Sequence, residues 1–141
     1  MRSLFAVFGL FVVCLTLGAD NDTARPRRQH AETLDPALFV DDRTSYVAYT
    51  VASKIPEILA KQPCFCPCHF LHGHKSLLDC FAGQHGRECS ICKQEAIFCY
   101  RQHLAGKRDR HIRKGLKSGA WIQINLEAFA QEFLRSQGQP R

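Results

Sequence analysis

Apolar residues recur at helical spacing along most of the chain beyond residue 42. Ala48, Val51, Ala52 and Ile55 share one face of a segment over roughly 43–54, and Asp42 is placed to cap it. Pro56 forces a break, and residues 57–61 can make a further turn, with Ile58 and Leu59 inward, before Pro63 stops it. Residues 64–74 read as a tight loop rather than regular structure. Ser76-Leu77-Leu78-Asp79 then has the form of a capping box, which places Cys80 in the first turns of a short helix ended by Gly83 and Gly86. A longer helix begins at Cys89 or Ser90 and runs to about Leu104, with Cys92, Ala96, Cys99 and His103 on one face and Gly106 closing it. Asp109 caps a basic helix to about Lys117. Residues 121–126 alternate as a short strand would, and Leu126, Phe129, Ala130 and Phe133 mark an amphipathic helix from Asn125. No succession of strands and helices builds a parallel sheet. The pattern predicts a small all-α domain organised around a Cys/His-rich loop.

The N-terminus has the form of a signal peptide, residues 1–19. Arg2 supplies a positive n-region, Leu4 to Leu17 an apolar stretch too short for a membrane span, and Gly18-Ala19 small residues for cleavage. Leu17 at the −3 position is a poor match to the usual small residue, and an uncleaved signal anchor is the alternative. Cys14 follows Val13 where a lipoprotein cysteine would follow a small residue, so it belongs to the discarded segment. Residues 20–41 read as a polar, flexible leader, 42–118 as the helical domain and 119–141 as a C-terminal extension. Export to a periplasmic or other extracytoplasmic compartment follows, with contact to the membrane only through the signal segment.

Charge changes the picture little. The net charge of +6 is concentrated in residues 107–117. That run lacks interleaved aromatic residues, and Ile112 and Leu116 within it sit at helical spacing, so it reads as a solvated helix face with one apolar edge. Nucleic acid is not an expected partner.

Cysteine content matters far more. The chain has eight cysteines, crowded between Cys64 and Cys99, and losing Cys14 leaves an odd seven. Outside the cytoplasm thiols oxidise unless something holds them, and an odd number cannot all pair within the chain. Cys64-x-Cys66-x-Cys68 places three thiols within a few ångströms, stiffened by Pro63 and Pro67. Cys89 and Cys92, three apart at a helix start, lie on one face where the helix dipole and open N–H groups favour thiolate. Thiolates select copper(I), zinc and iron–sulfur clusters. Zinc favours paired cysteines two to four residues apart, as at Cys89 and Cys92; the closely alternating run suits low-coordinate copper(I) or a sulfur-bridged cluster. Copper(I) therefore ranks first, zinc second and iron–sulfur third.

His74 lies between two parts of the cysteine pattern and is the histidine most suited to join a site. His69 and His72 could guard its entrance, and His85 could ligate or hydrogen-bond a ligand. Cys99 and His103 have ligand spacing, but Cys99 reads first as a small core hydrophobe. Two other readings stay open. Six cysteines allow fifteen pairings, so a disulfide-stapled interaction domain is the main alternative. Cys89-x-x-Cys92 resembles a thiol–disulfide oxidoreductase motif, although no buried strand precedes it. No hydrolase constellation or phosphate loop is present, and the reading is a binding protein rather than an enzyme.

Pro63-Cys64-Phe65-Cys66-Pro67-Cys68, then Gly73-His74-Lys75-Ser76-Leu77-Leu78-Asp79-Cys80-Phe81, His85-Gly86, Cys89-x-x-Cys92 and Glu95-Ala96, resemble the bacterial exported proteins named for a PCYCGC motif. The resemblance covers roughly residues 44–117. Phe65 replaces the motif's tyrosine and Pro67 its glycine, so the cysteine spacing survives while the loop backbone is restricted. The resemblance implies an exported, cysteine-rich protein suspected of binding metal. Carried over by position, its functional set is Cys64, Cys66, Cys68, His74, Cys80, Cys89 and Cys92. The expected function is copper(I) binding, buffering or delivery to an exported metal-receiving protein.

Overall fold

A computed structural model describes residues 31–138, excepting the side chains of Cys68 and His69. The segment read as a signal peptide and the first half of the one read as a leader lie outside the described residues. Among the described residues the chain is helical and without strands. A 3-10 turn, Pro36–Phe39, leads into α1 (Arg43–Lys54), α2 (Pro56–Leu59) and α3 (Cys68–His72). A second 3-10 turn, Leu78–Phe81, is followed by α4 (His85–Glu88), α5 (Ser90–Leu104), α6 (Asp109–Lys117) and α7 (Leu126–Ser136).

Helix α1 begins where its cap requires. Asp42 has an extended backbone, and its carboxylate accepts the Ser45 N–H (3.1 Å) and the Thr44 and Ser45 hydroxyls (2.8 and 2.6 Å). The helix buries Val47, Ala48, Tyr49, Val51 and Ala52. Pro56 disfavours helical geometry at Ile55, whose φ of −132° and ψ of 42° separate α1 from α2.

Helix α5 is the central element, packing against α1, α2, α4, α6 and α7. Beside it Tyr49 stacks on Phe39 at 4.1 Å between ring centroids and meets Phe81 edge-on at 5.1 Å. The Tyr49 hydroxyl, sunk in this aromatic core, donates to the Gly83 carbonyl at 2.5 Å. Lys93 ties three helices together. Its buried ammonium donates to Thr44 Oγ1 (3.1 Å), Ser45 Oγ (3.3 Å) and the Arg87 carbonyl (2.9 Å), with Asp42 Oδ2 at 3.8 Å. These partners satisfy a charge that would otherwise be costly to bury. Helix α6 lies so close to α5 that a Cβ on Gly115 would come within 2.4 Å of the Phe98 ring. Helix α7 covers the far side of α1, where Val47, Val51, Ala130 and Phe133 form a second apolar cluster.

Several sequence expectations need correction. Residues 68–72 are a helical turn inside the expected loop, because Pro67 supplies a helix-compatible φ of −69° and Gly73 ends the turn in the left-handed region. The helix at Cys80 is a 3-10 turn, and Gly86 does not end it. Gly86 is buried within α4, where a Cβ would meet the Cys80 carbonyl and the Phe81 ring at 3.0 Å. Asp109 is the first residue of α6 rather than its cap, and pairs with Lys61 at 3.1 Å. His103 is exposed, off the buried face that Cys92, Ala96 and Cys99 share. Residues 121–126 form turns: Ile122 and Ile124 bond back to Gly119 and Trp121, and no second strand lies beside them among the described residues. From Leu34 onward the stretch read as a leader contributes to the core; Phe39 is 1% exposed, and the Leu34 N–H donates to Phe81 O at 2.8 Å.

Burial raises the Asp42 carboxyl, but the Ser45 and Thr44 hydrogen bonds and the Lys93 charge outweigh it and hold the group at about 2, below its usual 3.8. A depressed acid stabilises the fold above its unfolded pKa, and the contribution fades as pH falls from about 4 toward 2. Asp42→Ala should cost about 1–2 kcal/mol in denaturant unfolding at neutral pH. The gap between wild type and variant should narrow on acidification below pH 4. An unchanged midpoint at neutral pH would contradict the capping role.

Candidate metal centre

The loop between α2 and the second 3-10 turn is pinned at its neck, where the Leu77 N–H donates to the Gln62 carbonyl at 2.8 Å. Just inside the neck, the Phe65 N–H donates to Glu95 Oε1 at 2.9 Å. This bond holds the strand-like Cys64-Phe65-Cys66 run against α5. Residues two apart in extended chain share a side, so Cys64 and Cys66 turn inward together while Phe65 stays partly exposed. At the other end Asp79 accepts the Lys75 and Ser76 N–H groups at 2.7 and 2.9 Å, the back-reaching half of the expected capping box. That fixes the turn carrying Cys80.

The sulfurs converge from separate elements. Cys64 Sγ lies 3.2 Å from Cys66 Sγ and 3.6 Å from Cys92 Sγ, and Cys66 Sγ lies 3.5 Å from Cys92 Sγ. Two donor groups result, each with ligand atoms within 4.8 Å of one another: Cys64, Cys80 and Cys92, and Cys66, His85, Cys89 and Cys92. Cys92 is in both. A metal–sulfur bond of about 2.3 Å would set sulfurs around one ion roughly 3.7–4 Å apart. Within each group, the Cys64–Cys92 separation (3.6 Å) and the Cys66–Cys92 separation (3.5 Å) are a few tenths of an ångström shorter, so small side-chain rotations admit an ion.

Histidines line the approach. His74 Nδ1 is 3.3 Å from Cys80 Sγ, and His85 Nε2 is 4.0 Å from Cys66 Sγ. The rings of His72, His74 and His85 lie 4.9–5.7 Å apart between centroids. Exposure falls inward, from exposed His72 through half-buried His74 and His85 to buried Cys66 and Cys80.

Mutual hydrogen bonding divides the thiols into acidic and basic members. Hydrogen bonds from Cys64 and Cys92 outweigh burial and draw Cys80 down to about 5. Cys89, at the N-cap of α5, is drawn down to about 6 by Cys92, against burial, with help from helix-terminal N–H groups and His85. Cys92 is pushed up by donating toward Cys64, Cys80 and Cys89, and Cys64 by its bond toward Cys80. Burial, then the neighbouring Cys64, raises the Glu95 carboxyl to about 9, making it a neutral acid at pH 7. Glu95 Oε2 is buried without a hydrogen-bond partner.

Five of the residues read from sequence (Cys64, Cys66, Cys80, Cys89 and Cys92) fall in these donor groups; His74 touches Cys80 but belongs to neither group, and the side chain of Cys68 lies outside the described set. Cys99 is fully buried in the core, with its thiol pushed up by burial, and is in neither donor group. His85 belongs to a donor group, although its sequence position did not separate a ligand from a supporting hydrogen bond. Glu95 was missed as a neighbour of the site. Its i, i+3 spacing from Cys92, on a helix whose Ala96 and Cys99 face inward, was the available signal.

No two described sulfurs lie at disulfide distance. Cys64, Cys80, Cys89, Cys92 and Cys99 are reduced thiols. Cys66 is disulfide-bonded.

Residues 21–118 match the family described as "Protein of unknown function with PCYCGC motif", and the chain belongs to that family. Neither a curated protein nor a solved structure matches it.

In native protein, iodoacetamide should modify Cys89 first, because it is half-buried and acidic, and Cys99 only after unfolding. The Cys89 rate should rise through pH about 6 as its thiol ionises. Mass spectrometry of timed quenches would show it; Cys99 keeping pace with Cys89 would contradict the burial pattern.

Proposed function

We propose that this member of the PCYCGC-motif family is an exported protein that binds a soft metal ion, copper(I) foremost, and buffers it or hands it to an exported partner. One observation carries the reading: cysteines from a loop, a 3-10 turn and the start of α5 bring their sulfurs into two adjoining donor groups. Thiolate-rich donors select soft ions. The Cys64, Cys80 and Cys92 group offers three sulfurs, a low-coordinate set that favours copper(I). The other group adds a histidine to three cysteines, which is a zinc-like set once Cys66 is reduced, and that favours zinc as the second ion.

Delivery also needs access and a fold that survives without the ion. The His72, His74 and His85 rings give a graded path from solvent to the sulfurs, and imidazole binds both copper and zinc. The aromatic core and the Lys93 network hold α1 and α5 together without using a site thiol. Binding rather than catalysis is part of the proposal, as is the exported location.

Competition against a chromophoric copper(I) chelator tests it, using reduced protein under anaerobic conditions. Cys80→Ser should weaken copper(I) binding at least tenfold, equivalent to about 1.4 kcal/mol, while His103→Ala should leave it unchanged. Equal competition by wild type and Cys80→Ser would contradict the site.

A further inference from the structure

Cys92 occupies a position that no other donor shares among the described residues. Its sulfur completes the Cys64 and Cys80 group and also the Cys66, His85 and Cys89 group. It is 3.6 Å from Cys64 Sγ and 3.5 Å from Cys66 Sγ, and its residue is fully buried in the first turn of α5. The two groups reach it from different parts of the fold. The first comes through the loop and the 3-10 turn of Cys80; the second comes through the loop, α4 and the cap of α5.

The donor chemistry decides how such an arrangement is used. An imidazole nitrogen has one lone pair in the ring plane and binds one ion. A thiolate sulfur has three lone pairs and can bind two ions at once. The shared donor here is the kind that can bridge. Counting distinct groups leads the same way: Cys64, Cys66, Cys80, His85, Cys89 and Cys92 give six donors. A single tetrahedral ion uses four.

We propose that the centre holds two soft metal ions per chain, bridged by the Cys92 thiolate. One ion lies on Cys64, Cys80 and Cys92. The other lies on His85, Cys89 and Cys92, with Cys66 as a further ligand in the reduced protein. The inference rests on the soft-metal reading above and assigns its stoichiometry and its shared ligand. His74, beside Cys80, is a positioning residue for the first ion.

The test is titration of the reduced full chain with copper(I) under anaerobic conditions, followed by X-ray absorption of the loaded wild type. Two tightly held ions per chain are expected, with a metal–metal distance within about 4 Å. Cys89→Ser should keep one ion, whereas Cys92→Ser should weaken both by at least tenfold; circular dichroism checks that each variant is folded. A single ion in wild type would overturn the bridge while leaving the soft-metal reading standing. So would two ions with no metal–metal scattering, or a Cys92→Ser variant that loses only one. No bound copper(I) at all would instead overturn the soft-metal reading itself. The absorption measurement needs no substitution, so a variant that fails to fold does not remove the test.

Discussion

The structure depends on burying three functional groups near the start of α5. Cys92, Lys93 and Glu95 are within one turn of each other and all are buried. A helix start filled with a thiol, an ammonium and a carboxyl is costly unless each finds its own partner. Cys92 turns to the sulfur cluster, Lys93 to the cap of α1 and the Arg87 carbonyl, and Glu95 to the Phe65 N–H. These three directions place α1, α4 and the cysteine loop around one helix. The same contacts that close the fold also deliver the sulfurs.

The scaffold also has packing that uses no site thiol. The apolar core runs through Phe39, Tyr49, Phe81 and Ile97, and α7 adds its own cluster against α1. Cys64, Cys66, Cys80 and Cys92 belong to that same core, with Cys89 and the half-buried His74 and His85 on its outer side. Glu95 marks the boundary: its Oε1 is used to hold the loop, while Oε2 has no partner. An unpaired buried carboxyl oxygen is a destabilising feature. It lies beside Cys64, next to the sulfur cluster.

Helices with clear caps and strong periodicity were legible in the sequence. Asp42 capped α1 as its spacing implied, α7 followed Asn125 where the periodicity placed it, and α5 began at Ser90. Elements governed by tertiary context were not. Residues 121–126 alternate like a strand, yet they are held as turns by Trp121 Nε1 bonding to Leu116 O and by Gln94 bonding to Ile124 O. The turn over residues 68–72 was hidden because the dense cysteine and proline pattern suggested an irregular loop. For the site, cysteine spacing identified the sulfurs that meet. It could not show that Cys92 would be common to two groups, since that depends on how α4 and the Cys80 turn approach α5. Lys93 reads as an exposed residue from its type alone; only the hydroxyls of Thr44 and Ser45, some fifty positions away, make its burial possible.

The central claim is that these thiols are kept reduced to hold a soft ion. The direct measurement is metal content together with thiol count on the native chain purified anaerobically without chelators. The account predicts bound copper or zinc, with Cys64, Cys80, Cys89 and Cys92 unoxidised. Metal-free protein with those four cysteines joined in disulfides would contradict it.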